Sequence, residues 1–389
     1  MKKFISLMCL SLTILLAAGS LSGCHKQNEI AVTVEGVEVK TSTYICALID
    51  ADLQGRQKVY EEKSTADDFD SSKEIDYLSE KIDDKSFSDW VKETAMSLVK
   101  RYAYSKKLQS EKNVKFTETE EANIKSNASY NWSNYGGSFL YGPNGVSYDT
   151  YLDYYMTSMV SGSYFLSIYG KDGTDPVPES EVEKKFYDNF DIMHLLYFSA
   201  TGTDGKSKDD ADIEKAKKTL EEYAVSINSG KYTFKDVKKL WDLYNGTEES
   251  DTKEDSDTDD EDTDSTEDKP LDSTAQLIAS SESGTNYSSP SFEKIHALGV
   301  NEATVIKDDN KNYYLFVRGD IKGDPYYLKN QYNNALSMIK YSDFSKQYEA
   351  DANALTYTEN KHATGIMSSK SIDYTQYDTY RSYYGSTAN

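Results

Sequence analysis

The chain has 389 residues, of which 66 are Asp or Glu and 43 are Lys or Arg, giving a formal charge of −23. That balance excludes a nucleic-acid binder, because affinity for phosphate backbones comes mainly from Lys and Arg. Aromatics make up 13% of the residues and 33 are Tyr, which excludes wholesale disorder. With only one long apolar stretch, a multi-span membrane protein is excluded as well.

Lys2 and Lys3 precede an apolar run from Phe4 to Gly19, followed by Leu21-Ser22-Gly23-Cys24. A basic start, a short apolar run and small residues before a cut predict a secretory signal over residues 1–23. Leu-Ser-Gly-Cys resembles the bacterial lipobox, in which the cysteine becomes a lipidated first residue. The resemblance implies that Cys24 tethers the chain to the extracytoplasmic face of a cell membrane, in an envelope of Gram-positive type. Each buried CH₂ of such an anchor contributes about 0.8 kcal/mol. Cys9 leaves with the signal and Cys24 carries lipid, so Cys46 has no partner for an internal disulfide. It lies in the apolar run from Tyr44 to Ile49, without a basic neighbour, and reads as a small core residue.

Residues 30–39 alternate on both sides of Glu35-Gly36 and predict a β-hairpin. Thr41 or Ser42 would cap a helix running to about Lys63, with a mostly looped stretch over 64–85. Ser86, with Asp89 three residues on, starts a helix whose apolar stripe is Phe87, Trp90, Val91, Leu98 and Tyr102. A further N-terminus at Thr117 leads towards Trp132, and a turn-rich connection over 135–145 leads to Ser147. The stripe Tyr148, Tyr151, Leu152, Tyr155, Met156 and Met159 then marks a helix with a break expected near Gly162. Ser180 opens a short helix carrying Phe186 and Phe190. Beyond it the pattern changes. Residues 192–198 are short, continuous and apolar, as a buried strand is. Two helices follow, one stopped by Gly230 and one over 234–244; strand-like segments at 303–307 and 313–318 then flank Asp308-Asp309-Asn310. Pro325 opens a last long helix.

The acid is concentrated. From Glu248 to Asp268 there are 13 acidic residues against one Lys, so an insert over 245–272 is expected to be disordered. The segments together predict an α+β chain. Its parts are a mainly helical domain over 24–190, a small α+β domain over 191–323 holding the insert, a C-terminal helix over 324–355 packing on the helical domain, and a flexible Tyr/Ser-rich tail over 356–389.

In this order the elements resemble the extracytoplasmic foldases of the SurA and PrsA type. Residues 32–39 followed by Tyr44 look like that family's opening hairpin and first helix. Phe87-Ser88-Asp89-Trp90 and the stretch from Tyr135 to Tyr151 look like its helical chaperone domain. Ser180 to Phe186 followed by Met193-His194-Leu195-Leu196 looks like the entry to a parvulin-type prolyl isomerase domain, and Val305 to Phe316 like its end. The resemblance implies binding of unfolded or newly secreted proteins through an apolar, Tyr-rich helical cradle; Trp90, Tyr102, Trp132, Tyr148, Tyr151 and Tyr155 are the candidate contacts. It also implies a catalytic place for His194. The family's second histidine falls on Tyr314, and the Gly-rich stretch that shapes the prolyl pocket is missing. Isomerisation needs a barrier of about 18–20 kcal/mol lowered by gripping the proline, so loss of that pocket points to weak or absent activity. A plain core role for His194 is therefore preferred.

No cofactor motif is present and no His/Cys spacing suggests zinc. Asp255-x-Asp257-x-Asp259 lacks the Gly and Glu that a calcium loop requires at positions six and twelve, so no metal is expected. Most tyrosines read as core residues with satisfied hydroxyls. The leading reading is a lipid-anchored chaperone. An active prolyl isomerase and a surface adhesin or substrate-binding lipoprotein remain as alternatives.

Overall fold

The structure, a computed structural model, describes residues 28–66, 69–70, 73, 75–134, 136–246, 270–271, 274–279 and 289–384. The expected signal over 1–23, Cys24, Tyr135 and residues 247–269 of the acidic insert lie outside the described residues.

In chain order, the hairpin β1 (Ile30–Val34) and β2 (Val37–Lys40) leads into α1 (Thr41–Ser64). A two-residue strand pair, β3 (Lys81–Ile82) and β4 (Lys85–Ser86), precedes α2 (Phe87–Glu111), α3 (Glu118–Asn134), α4 (Gly137–Leu140) and α5 (Tyr148–Tyr169). Then come α6 (Glu179–Asn189), β5 (Phe190–Phe198), α7 (Asp210–Asn228), α8 (Phe234–Asn245), β6 (Ala275–Ala279) and α9 (Ser289–His296). The chain continues through β7 (Ala303–Lys307), β8 (Tyr313–Arg318), α10 (Pro325–Ala354), β9 (Tyr357–Glu359), α11 (Lys361–Thr364) and α12 (Thr375–Tyr384). The fold is mainly helical α+β, with small antiparallel sheets. It divides into two compact units: residues up to Asp175 with those from Ser342 onward, and Pro176–Tyr341. The short helix α6, expected with the helical part, belongs to the second unit.

In the first unit, the hairpin turns on Glu35 (φ 45°) and Gly36 (φ 89°), the left-handed pair that matches strand twist in a two-residue loop. Helix α1 begins one residue earlier than a Thr41 cap would allow. Lys40 is the cap residue and makes no side-chain bond; the Thr41 amide and hydroxyl instead donate to the Glu29 carbonyl at 2.8 and 3.0 Å. Tyr44 through Ile49 are all buried, so this first part of α1 is covered on every face. Ser86, Thr117 and Ser147 cap α2, α3 and α5 as the sequence indicates, each accepting an amide three residues on. Helix α5 runs unbroken through Gly162. The core joins α1, α2 and α5 to a sheet ordered β2-β1-β9.

Residues 357–384, expected to be a flexible tail, form β9, α11, a 3₁₀ turn at Ser369–Ser371 and α12. Asn144 fastens this segment by donating to the Asp373 carbonyl at 3.0 Å and accepting the Asp373 amide at 2.8 Å. The Tyr374 hydroxyl donates to Asp52 Oδ1 at 2.7 Å, and Arg56 donates to the same oxygen at 2.6 Å while lying over the Tyr374 ring. The Tyr377 ring fills the space above Gly136 (φ 79°), where a Cβ would come within 2.8 Å of it.

The second unit holds a four-stranded antiparallel sheet ordered β6-β5-β8-β7. One face, with Leu196, Phe198, Leu315 and Val317, packs on α7 and α8 through Ile213, Leu220, Val237 and Trp241. The other, with Met193, Ile306 and Phe316, packs on Ile295 and Leu298. Strand β6 was not expected. It pairs with β5 over Phe190↔Ala279 to His194↔Ala275.

Asp52 has no solvent exposure, so its charge depends on Arg56 and Tyr374. Tyr374→Phe is expected to lower unfolding free energy by about 2 kcal/mol in urea titrations, the scale of one hydrogen bond to a buried charge. A change within error would mean that the C-terminal segment does not brace α1.

Candidate functional site

Along β5, successive side chains alternate between the two faces of the sheet. His194 stands opposite Val317, and Tyr197 stands opposite Tyr314. His194 therefore shares the α7/α8 face with Leu196 and Val317, whereas Tyr314 shares the opposite face with Phe316 and Tyr197. The two positions that the family resemblance would join in one site lie on opposite sides of one sheet. His194 is half-buried, with the Phe234 ring stacked at 4.4 Å and its Nδ1 3.3 Å from the Thr274 hydroxyl. A Cβ at Gly319 would lie 3.4 Å from its Nε2. The ring face is thus occupied by a core phenylalanine.

Tyr314 has a structural partner. Its hydroxyl donates to Asp308 Oδ2 at 3.1 Å; the same carboxylate accepts the Asn312 side chain at 2.8 Å and the Asn310 and Asn312 amides at 2.9 Å. Burial raises the Asp308 carboxyl, but these donors outweigh it and hold it below the usual carboxylate range. Burial and the facing carboxylate push the Tyr314 hydroxyl up to about 12, so it remains a donor at neutral pH. It braces the β7–β8 turn.

In the first unit, α3, α4 and α5 bring Trp132, Tyr148, Tyr151 and Tyr155 together. Trp132 meets Tyr148 edge-on at 5.6 Å and Tyr151 at 5.2 Å, and Tyr151 also touches Tyr141 at 5.0 Å and Tyr155 at 5.9 Å. Asn131 donates to the Tyr155 hydroxyl at 3.4 Å. Tyr151 is buried, which pushes its hydroxyl up to about 12. Tyr102 lies apart from this cluster, stacked on Tyr154 and donating to Asp153 at 2.6 Å. Trp90 is also separate; its indole donates to Asp83 at 3.3 Å, beneath the Lys58 ammonium. Trp132, Tyr148, Tyr151 and Tyr155 thus form one cluster, while Trp90 and Tyr102 pack on the core separately from it.

A groove that the sequence reading missed lies between α2 and β9. Its volume is about 640 Å³, and it opens to solvent. Along α2 it is lined by Asp89, Lys92, Glu93, Met96, Ser97 and Lys100, which recur at three- and four-residue spacing on one helix face. Tyr357 and Glu359 of β9 form the facing wall, with Asp84 to Ser86 at one end. Lys92 pairs with Glu359 at 3.3 Å, Lys85 pairs with Glu93, and Lys100 donates to the Asn353 carbonyl at 2.8 Å while lying over the Tyr357 ring. The helix face could have been read from sequence. Its facing wall comes from the segment expected to be a tail.

Sequence reading also missed the two acids inside the apolar part of α1. Asp50 accepts the hydroxyls of Tyr141 and, at 3.0 Å, Tyr154. Burial raises its carboxyl above the ordinary range, and the two tyrosines pull it only partly back. Among the described residues no group of three or more His, Cys, Asp or Glu side chains could hold a metal ion, and no helix is long and apolar enough to cross a membrane.

No family model matches the chain, and no curated protein matches its sequence. Among solved structures it is similar to the foldase protein PrsA from Streptococcus pneumoniae str. Canada MDR_19A, with a TM-score of 0.35 and 13% identity over 73% of this chain and 90% of that one. It is also similar to the foldase protein PrsA from Lactococcus lactis, with a TM-score of 0.33 and 10% identity over 86% and 96% of the two chains. At these values the likeness carries no conclusion, and the α+β class stands on this chain's own elements.

Because the folded-state carboxyl of Asp50 lies above its usual value of 3.8, that group favours the folded state most when protonated, and its contribution falls as pH rises through the raised value. Replacing Tyr141 and Tyr154 together with Phe strips both donors and raises that value further. The double variant is expected to lose about 3 kcal/mol relative to the parent near neutral pH and clearly less in acid, as measured by urea unfolding at both pH values. An equal loss at both would show that the cost is packing alone.

Proposed function

We propose that the protein is a chaperone of foldase type that holds unfolded or newly secreted polypeptides on its helical unit. On this reading it is tethered to the extracytoplasmic face of the membrane through lipid on Cys24, and its α+β unit is a non-catalytic scaffold. The observation that carries the reading is the groove between α2 and β9. It is open, carries charges of both signs, and offers the exposed Tyr357 ring as an apolar contact, with Met96 buried at its floor. Such a surface suits segments of chain better than an enclosed small ligand, which favours mostly apolar concave pockets. The half-buried rings of Trp132, Tyr148 and Tyr155 add amphipathic surface elsewhere on the same unit.

Placement of His194 and Tyr314 on opposite faces of the β5–β8 pair, with Phe234 against the His194 ring, favours the scaffold role over prolyl isomerisation. In light scattering, the purified chain from Cys24 onward is expected to suppress aggregation of a reduced, unfolded secretory protein at stoichiometric amounts. Failure in large excess would sink the reading. In a protease-coupled proline-peptide assay, turnover is expected at the uncatalysed rate with or without His194→Ala. Turnover abolished by that substitution would put the isomerase in its place.

A further inference from the structure

Strand β9 has β1 on one side and, among the described residues, no strand on the other. Its register with β1 is Val32↔Glu359, Thr33↔Thr358 and Val34↔Tyr357. The flanking bonds run from the Asn360 amide to the Ala31 carbonyl at 2.9 Å and from the Glu35 amide to the Thr356 carbonyl at 3.2 Å. In an antiparallel ladder the bonding residues alternate, so 356, 358 and 360 turn their main-chain groups towards β1. The N–H and C=O groups of Tyr357 and Glu359 point away from it. They have no hydrogen-bond partner among the described residues.

The side chains of the same two residues lie on the face of their opposite numbers Val32 and Val34, which are fully buried in the core of the first unit. Tyr357 and Glu359 thus present an unpaired main-chain edge and one wall of the α2 groove together. The α2 residues from Asp89 to Lys100 extend about 16 Å at 1.5 Å per residue. That is the length of about five residues of extended chain.

We propose that the β9 edge takes up an extended segment of a partner polypeptide as a fourth strand of the β2-β1-β9 sheet, laid along the groove over α2. This deepens the chaperone reading and rests on it. The occupant is a polypeptide because the free groups are donors and acceptors at strand spacing, which main chain alone matches along its length. The groove's lining sets Asp84, Asp89, Glu93 and Glu359 against Lys85, Lys92 and Lys100, with Lys92 paired to Glu359 and Lys85 to Glu93. It therefore has no surplus cation for a free anion or a lipid headgroup. The exposed Tyr357 ring and the aliphatic stems of Lys92 and Lys100 give apolar contact on the α2 side, so the bound segment alternates, with apolar side chains facing α2 and polar ones facing away. Natural proteins limit unwanted pairing by keeping exposed edges short and flanking them with lysine. A three-residue strand beside Lys92 and Lys100 fits that pattern, which limits pairing to a short guest segment.

The test uses the chain from Cys24 onward and a fluorescent synthetic peptide of alternating Val and Thr, followed by anisotropy. In antiparallel addition, the valines that face α2 also turn their amides to β9. N-methylation of the valines should therefore abolish binding, and N-methylation of the threonines should leave it intact. Equal effects of the two modifications would overturn the proposal. Tyr357→Pro removes an outward donor while sparing the β1 ladder, a place where proline is tolerated in an edge strand. It should bind about tenfold more weakly than Tyr357→Ala, the scale of one lost hydrogen bond with its partner left unpaired. Equal affinities would also overturn the proposal. If Tyr357→Pro lowers the thermal midpoint, the N-methylated pair on the unsubstituted chain decides. Suppressed client aggregation with no alternation in the N-methyl effect would reject the edge and keep the chaperone; loss of both would reject both.

Discussion

The pairing of β1 with β9 is the constraint on which the first unit depends. Strand β1 lies centrally in its sheet, with Ala31, Val32 and Val34 fully buried, so both of its edges must be bonded. The hairpin supplies β2 on one side, and the other side waits for a segment from the far end of the chain. Such closure is affordable because the entropy of closing a loop grows only logarithmically with its length, about 0.6 kcal/mol for each doubling. The last turns of α10 deliver the strand. Arg101 pairs with Glu349, the Ser105 and Tyr348 hydroxyls share a buried hydrogen bond at 2.7 Å, and Ser97 donates to Asn353 at 2.8 Å. A rigid lead on α2 thus places a three-residue strand whose own pairing would be marginal.

A second regularity gives several of the tyrosines a structural role. The helical unit sets Asp50 and Asp52 against its core, and tyrosine hydroxyls reach both: Tyr141 and Tyr154 on Asp50 and Tyr374 on Asp52, while Tyr102 donates to the exposed Asp153. A phenol contributes apolar area along its ring and a donor at its tip, so one side chain meets both the packing and the desolvation demand. Raised hydroxyl values at Tyr102, Tyr141, Tyr154 and Tyr374, caused first by burial, keep these groups protonated and donating. The composition describes how this core is built more than it describes a binding surface.

Elements that carried their own boundary chemistry were legible in the sequence. Ser86, Thr117 and Ser147 announced helix starts, Glu35-Gly36 announced the hairpin, a continuous apolar run announced β5, and strand-like segments flanking Asp308-Asp309-Asn310 announced β7 and β8. What stayed hidden depended on partners far along the chain. The β3–β4 turn uses Asp83 and Asp84 in left-handed conformations where glycine would have been the signal. Strand β6 follows an acidic stretch that masks it, and β9 is too short to show a period. The C-terminal tyrosines looked solvated among Ser, Thr and Asp, because nothing local reveals that Asp52 and Gly136 are their counterparts. The relation between His194 and Tyr314 was hidden for a geometric reason. Matching His194 and Tyr314 by motif says nothing of register, and the register sets them on opposite faces.

Put together, these features separate two ways of recognising a chain. A prolyl pocket reads one residue and needs its groups converged on one face, which β5 and β8 do not supply. An edge strand reads the peptide backbone that every sequence shares, and it asks of side chains only that they alternate. On the chaperone reading, the second is the better fit to clients of unrelated sequence. The internal pairing of the groove's charges then has a purpose. Lysines already held by Glu359, Glu93 and the Asn353 carbonyl make weak selection among charged clients, and on that reading the amides and carbonyls of Tyr357 and Glu359, unpaired among the described residues, are left to meet the guest chain.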